Sequence, residues 1–331
     1  MSGPIQHGGG LAAAAAQYGG RIEDWLDLST GINPCPPGLP DIPMRAWHRL
    51  PDRERDMAAR EAARTYYTSA ARLPLPVAGT QSVIQLLPRL VPAGGRVAVL
   101  TPTYGEYERA FTLAGISVDA IADLGEIGPA HSLVVVVNPN NPDGRLLGRD
   151  ALQALASDLG SRGCLLVVDE AFGDTDPEQS LAAGTASNLI VFRSFGKFFG
   201  LAGIRLGFVI ADESLTRQFA DWLGPWAVSG PALVLAQHLM SSDTSVIRDQ
   251  IRQRSQALGG VLSKAGLTVR GGTDLFQLVE DRAAGALHAH LCSHHILTRR
   301  FDYRPDWLRF GLAPDPAGDS RLDAALKSFP R

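Results

Sequence analysis

Lysine is almost missing from this 331-residue chain. Of its 31 Lys and Arg residues only three are lysines, Lys197, Lys264 and Lys327. Wherever a plain positive charge would serve, the sequence uses arginine, so each lysine asks for a reason. Cysteine is sparse too. Cys35, Cys164 and Cys292 are far apart and odd in number, which suits reduced thiols and excludes a disulfide framework. No apolar run is long enough to span a bilayer as a helix. The opening MSGPIQHGGGLAAAAAQYGG has neither the basic start nor the long apolar core of a secretory signal. A cytoplasmic protein is the resulting expectation. A formal net charge of −3 and the lack of any Lys/Arg run leave no electrostatic case for nucleic acid. Internal repeats and long disordered tracts are also absent.

What is present points to a globular enzyme-sized chain. The hydrophobic share is 45%, enough for a substantial core, and the length favours one large domain plus a smaller one. Short apolar runs at 75–78, 97–100, 133–137, 165–168, 189–192 and 208–211 alternate with helical patterns at 53–67, 82–90, 106–114 and 149–162. Runs such as LVVVV and LLVV carry no polar alternation, as expected of strands buried on both faces of a parallel sheet. The alternation predicts a three-layer α/β/α domain with a mostly parallel sheet. From about residue 231 the texture changes to two long helices, 231–241 and 246–265, and short strands at 267–270, 275–279 and 307–311, a small α+β domain. The expected organisation is an N-terminal arm at 1–44 packing with the small domain, a large domain at 45–230 and the small domain at 231–331. The five-Ala run forms a helix between Gly clusters that suggest a mobile arm.

In such sheets ligands bind beyond the C-terminal ends of the strands, so the residues after each apolar run are the candidates. Gly79-Thr80-Gln81 precedes a helical stretch, where Gly permits close approach and free N–H groups suit a phosphate; a bare strand-to-helix turn reads the same way. Tyr104, in TPTYGEYERAF, could stack on a planar ligand or pack on the core. Asn141 sits in the rigid loop NPNNPDG and could offer its amide. Asp169 ends a buried strand, where a carboxylate is costly unless paired; it is either structural or a counter-charge for a ligand cation. SFGKFFGLAGIRLGF then supplies Ser194, Lys197 and Arg205. A desolvated lysine can lose its proton and attack a carbonyl, which an arginine cannot.

The pattern Ser-x-x-Lys-x-x-Gly-Leu-x-Gly-x-Arg-x-Gly at 194–207, with Asn-Pro-x-Gly at 141–144 and Asp169 in the expected order, resembles the pyridoxal 5'-phosphate enzymes of the aspartate aminotransferase fold, over nearly the whole chain. The resemblance implies that Lys197 holds the cofactor covalently, Asp169 pairs with its pyridine nitrogen, Asn141 bonds its phenolic oxygen and Tyr104 stacks on its ring. Gly79, Thr80, Gln81, Ser194 and Arg205 would bind its phosphate. Arg309, in WLRFGLA, matches the arginine that receives a substrate α-carboxylate, and the family implies a homodimer.

Two departures stand out: Phe172 replaces the usual Tyr three residues after the aspartate, and Leu50-Pro51-Asp52 stands where many relatives have Tyr-Pro-Asp. The closest subgroups are the histidinol-phosphate aminotransferases and the threonine-phosphate decarboxylases of cobalamin biosynthesis. His7-Gly8-Gly9 and Leu28-Ser29-Thr30-Gly31-Ile32-Asn33-Pro34 look like the opening of the decarboxylases, with Gly31 where Asn is usual. That adds His7 and Gly31 to Asn141 and Arg309 as substrate candidates and gives decarboxylation of L-threonine O-3-phosphate as the expected reaction. A histidinol-phosphate-type aminotransferase and a non-catalytic cofactor-binding regulator or assembly partner remain the alternatives. HAHLCSHH puts His288, Cys292 and His295 on one helical face; a solvated helix end without metal is expected there.

Overall fold

The apolar runs build the central sheet of the protein, whose computed structural model describes residue 5 and residues 7–70 and 72–330. In chain order the strands are β1 (Leu26–Asp27), β2 (Leu75–Val77), β3 (Arg96–Leu100), β4 (Ser117–Ile121), β5 (His131–Val137), β6 (Leu165–Asp169), β7 (Leu189–Ser194), β8 (Gly207–Ile210), β9 (Val269–Thr273), β10 (Phe276–Glu280), β11 (Ile296–Leu297), β12 (Arg299–Phe301) and β13 (Arg304–Gly311). The main sheet has the order β2-β8-β7-β6-β5-β3-β4. Strands β3 to β7 run parallel. Strand β8 is antiparallel to both β7 and β2, so β2 points the same way as the other five.

Both faces of this sheet are apolar because successive side chains alternate between them. Val97, Val99, Leu133, Val135 and Val167 face one side, where the helices Glu106–Leu113 and Glu213–Leu223 add Tyr107, Phe111 and Phe219. Ala98, Leu100, Val134, Val136 and Leu166 face the other, covered by Leu152 and Ala156 of helix Arg149–Ser161 and by Ala59 and Ala63 of helix Arg53–Tyr66. Burying each Val or Leu contributes about 1.5–3 kcal/mol, which is why an unbroken apolar run is tolerated here and nowhere on the surface. This is the three-layer architecture anticipated from the sequence. Helix Gly230–Met240 packs on Arg53–Tyr66 and on Met44–His48; a Cβ on Gly230 would sit 2.3 Å from the Ala46 carbonyl oxygen of the latter.

A second, antiparallel sheet has the order β12-β13-β10-β9 and is covered by helices Ser245–Lys264 and Ala284–Ser293, on which helix Pro316–Lys327 packs. The N-terminal segment joins this side of the molecule. β1 pairs with β11 in parallel, and the chain continues with Gly311 N–H donating to Leu28 O at 2.7 Å. The five-Ala run forms helix Leu11–Tyr18.

Among the departures from the sequence reading are three details. The stretch 82–90 is not one helix but a short helix Thr80–Ile84 followed by a tight turn Leu87–Leu90; Pro88 has no N–H to continue an α-helical ladder. Strand β4 was not foreseen, because SVDAI is short, polar and at the sheet edge, where pairing with β3 and the Arg96–Asp119 ion pair at 2.5 Å define it. The histidine-rich helix is not merely a solvated end. Cys292 is fully buried with Ala14, Trp25 and Leu297, and His288 Nδ1 lies 2.9 Å from Thr298 Oγ1. Burial, aided by Arg300, pushes His288 down to about 4. Among the described residues no cluster of His, Cys, Asp and Glu could hold a metal ion.

Candidate active site

The C-terminal ends of six strands, and the start of the reversed β8, meet at one edge of the main sheet. There β2 leads to Gly79, β3 to Tyr104, β5 to Asn141, β6 ends in Asp169, β7 ends in Ser194 and leads to Lys197, and Arg205 precedes β8. Val77, Gly207 and Ser194 share one rung of the ladder. Facing this edge is β13 with Arg309. The space between is a cavity of about 650 Å³, and every candidate named from the sequence lines it, His7, Gly31, Thr80, Gln81 and Phe172 included.

Lys197 projects from a single helical turn, Phe195–Phe198, whose phenylalanines are fully buried. Burial, reinforced by the positive charge of Arg309, lowers its amine to about 8, and Asp169 pulls the other way. Among the described residues no carboxylate forms an ion pair with it. The loop that carries it is pinned from outside: Asn33 N–H donates to Lys197 O at 2.9 Å, and Asn33 Nδ2 to Phe198 O at 2.9 Å. Gly200, at φ +69°, allows that approach, since a Cβ there would lie 2.5 Å from Asn33 O.

Asp169 is buried under the cavity floor. Burial pushes it up to about 6, while the Tyr107 hydroxyl, donating to Oδ2 at 2.8 Å, and the Ala171 N–H, donating to Oδ1 at 3.0 Å, hold it down. Tyr107 was missed from the sequence, although its place in the first turn of helix Glu106–Leu113, three residues after Tyr104, was a usable signal. Replacing Tyr107 by Phe is expected to raise the Asp169 carboxyl by about one pH unit. Loading with a cationic ring should then fail at correspondingly higher pH, measured as cofactor affinity against pH.

The phosphate candidates fit an anion. Gly79 adopts φ +74°, and a Cβ on it would sit 2.7 Å from Arg205 Nη2. Only glycine leaves the guanidinium and the Thr80–Gln81 backbone together around one small space. Arg205 itself is left-handed, at φ 54°, a strained conformation for a non-glycine residue of the kind that collects at functional sites.

Arg309 is buried and points at neutral partners. Its Nη1 donates to Asn141 Oδ1 at 2.5 Å and its Nη2 to Ser29 O at 3.0 Å, while Nε has no hydrogen-bond partner among the described residues. Burial and the nearby Arg299 lower it to about 9. Arg299 lies directly opposite it across the β12–β13 ladder, and like charges so placed repel. An anionic ligand relieves both the burial and the repulsion. With its oxygen taken by Arg309, Asn141 has its NH₂ to offer.

Phe172 and Gly31, the two departures within the cavity, are one feature. The Phe172 ring stands edge-on to Phe276 with centroids 5.0 Å apart and lies 5.7 Å from Lys197 Nζ. A Cβ on Gly31 would come within 2.8 Å of Phe172 and 2.9 Å of Phe276. Large rings on one side require a bare backbone on the other. Gly31→Asn is expected to cost about 1–3 kcal/mol by overpacking, read as a lower Tm, and the loss should shrink in a Phe172→Ala background.

The sequence of this chain matches the model of the aminotransferase class I and II family over residues 25–326. It is 60% identical to a threonine-phosphate decarboxylase of Sinorhizobium sp. over 98% of both chains. It is 45% identical to a threonine-phosphate decarboxylase of Pseudomonas aeruginosa, again over 98% of both. The structure is similar in fold to a histidinol-phosphate aminotransferase from Sinorhizobium meliloti, with TM-score 0.83, 21% identity and coverage of 98% of this chain and 94% of that one.

Proposed function

The chain belongs to the aminotransferase class I and II family, and from that membership we propose that it is a pyridoxal 5'-phosphate enzyme that decarboxylates L-threonine O-3-phosphate in cobalamin biosynthesis. One carbon–carbon bond breaks: the substrate and a proton give carbon dioxide and (R)-1-aminopropan-2-yl phosphate. The observation that carries this reading is the 60% identity, end to end, to a threonine-phosphate decarboxylase.

The residues present fit the cofactor. Lys197 would hold its aldehyde, the Gly79 cradle with Arg205 and Ser194 its phosphate, Asp169 its ring nitrogen, Asn141 its phenolic oxygen and Tyr104 its ring face. When bound, the cofactor supplies an electron-poor ring that accepts the electron pair left at the substrate α-carbon. The protein does the rest. Arg309 takes the substrate carboxylate with its two-pronged guanidinium and so fixes which bond at the α-carbon is turned for cleavage. Lys197, with its amine near neutrality, returns a proton to that carbon. Arg109, Arg205, Arg299 and Arg309 all line the cavity, against Asp169 and Glu108, an excess of positive charge suited to a cofactor phosphate plus a substrate bearing both carboxylate and phosphate. Phe172 places no hydroxyl beside the phenolic oxygen, which leaves Asn141 as its proposed donor.

We further propose a homodimer. Met44, Trp47 and Leu50 expose large apolar side chains close together in sequence, more than an isolated surface readily tolerates. Leu50 stands where a Tyr would reach across such an interface.

The test is a product assay on purified, cofactor-loaded enzyme. Carbon dioxide from threonine phosphate, exceeding that from serine phosphate, is the expected result. No carbon dioxide, with amino transfer from histidinol phosphate to 2-oxoglutarate, would reassign the enzyme as an aminotransferase. Cofactor binding without turnover of any of the three would make it a non-catalytic relative.

A further inference from the structure

Ile5, His7 and Gly8 line the cavity, and the segment they belong to is fastened on two sides by groups outside the reacting set. On the side of the small sheet, Gly9 N–H donates to Ser29 Oγ at 2.7 Å. Ser29 is fixed in turn by Asp27 Oδ1, which accepts from its N–H at 2.8 Å and its hydroxyl at 2.5 Å. Gly8 lies so close that a Cβ would sit 2.3 Å from Ser29 O. On the side of the main sheet, Ile5 packs on Gly105, and His7 Nε2 lies 3.0 Å from Glu106 Oε1.

Glu106 also works inward. Its Oε2 accepts from Gln81 Nε2 at 3.0 Å, and Gln81 Oε1 accepts from the Tyr104 hydroxyl at 3.1 Å. Arg109 Nη1 stands 3.8 Å from the same Oε2. Glu106 is buried at 6% exposure. A buried carboxylate only accepts hydrogen bonds, so it dictates which way the Gln81 amide faces: NH₂ toward Glu106, oxygen toward Tyr104. An inverted amide would set oxygen against oxygen at one end and leave the Tyr104 hydroxyl without its acceptor.

We propose that Glu106 is a positioning residue that couples two parts of the site, clasping the arm through His7 while it orients Tyr104 through Gln81. Its side chain stands behind the cavity wall rather than in the lining. The arm and the ring-stacking tyrosine are then each set by the same carboxylate.

The proposal extends the functional reading above, and its test is read without substrate so that the two fail separately. Hydrogen–deuterium exchange of the amides at 7–10 reports the arm, the Gly9 amide being hydrogen-bonded. The dissociation constant of pyridoxal 5'-phosphate reports Tyr104. Glu106→Ala is expected to speed arm exchange and weaken cofactor binding, each about tenfold, the worth of one lost charged hydrogen bond. His7→Ala should move only the arm, and Gln81→Leu only the cofactor constant. With threonine phosphate as substrate, Glu106→Ala should raise KM more than it lowers kcat. Glu106→Gln, of the same shape, should shift both substrate-free readouts in the same directions by less, and carries the test if the alanine variant does not fold. Arm exchange unchanged in Glu106→Ala or His7→Ala, or a cofactor constant unchanged in Glu106→Ala, overturns the coupling.

Discussion

Lys197→Arg is expected to lose at least about 10³-fold in kcat while the protein folds normally. Arginine keeps the charge and gives up the one property the site selects, release of a proton near neutral pH. Burial and Arg309 bring the Lys197 amine from 10.5 to about 8, which raises the neutral fraction near pH 7 by about 300-fold over an exposed lysine. The rate at which cofactor-free protein takes up pyridoxal 5'-phosphate should therefore climb with pH and level off above about 8. Below about 6 it should fall more steeply, because Asp169 then accepts a proton as well. Borohydride reduction followed by peptide mass spectrometry should find the adduct on Lys197 in the native enzyme, and none in Lys197→Arg or Lys197→Ala. An adduct on Lys264 or Lys327 would refute the assignment of the site.

Arg309→Leu is the second large effect. Removing one partner of a buried charge-assisted pair costs about 2–5 kcal/mol, so kcat/KM for threonine phosphate should fall by about 30- to 4000-fold. Lysine should not rescue it, because a single ammonium cannot bond Asn141 Oδ1, Ser29 O and a carboxylate in the geometry of a planar fork. The informative control is the product, which has lost the carboxylate. 1-Aminopropan-2-yl phosphate should inhibit native and Arg309→Leu enzymes with similar constants. The cofactor-free variant should keep or gain thermal stability, since it no longer buries a guanidinium whose hydrogen bonds go to neutral groups. A weakened product complex together with a lower Tm would instead make Arg309 a structural residue.

Much of this site could be read before the fold was known, and the reason is local. Strand ends are marked in one dimension by an apolar run followed by Gly, Pro, Asn or a charge, so Gly79, Tyr104, Asn141, Asp169 and Lys197 announced themselves by position. The residues that escaped work through space. Tyr107 looks like one more aromatic in a helix until Asp169, 62 positions later, lies beneath its hydroxyl. Glu106 looks like an ordinary acidic residue of a first helical turn, and only the fold brings His7 to it from 99 positions away. The pairing of Gly31 with Phe172 was equally hidden, since each alone reads as a lost side chain or a lost hydroxyl and only packing makes them complementary. The shortened helix at Thr80–Ile84 was signalled by Pro88 but masked by the apolar residues around it.

Strand β8 carries one more consequence. Because it runs against β7, and Ser194 faces Gly207 on the same rung, the chain leaves the sheet and re-enters it at adjacent positions. Residues 195–206 are thus a closed cassette, staked at both feet, that holds the Lys197 amine and the Arg205 guanidinium at a fixed spacing. Drift in the surrounding loops cannot change that spacing, but an insertion or deletion of a single residue inside the cassette would pull the two groups out of step with one bound molecule.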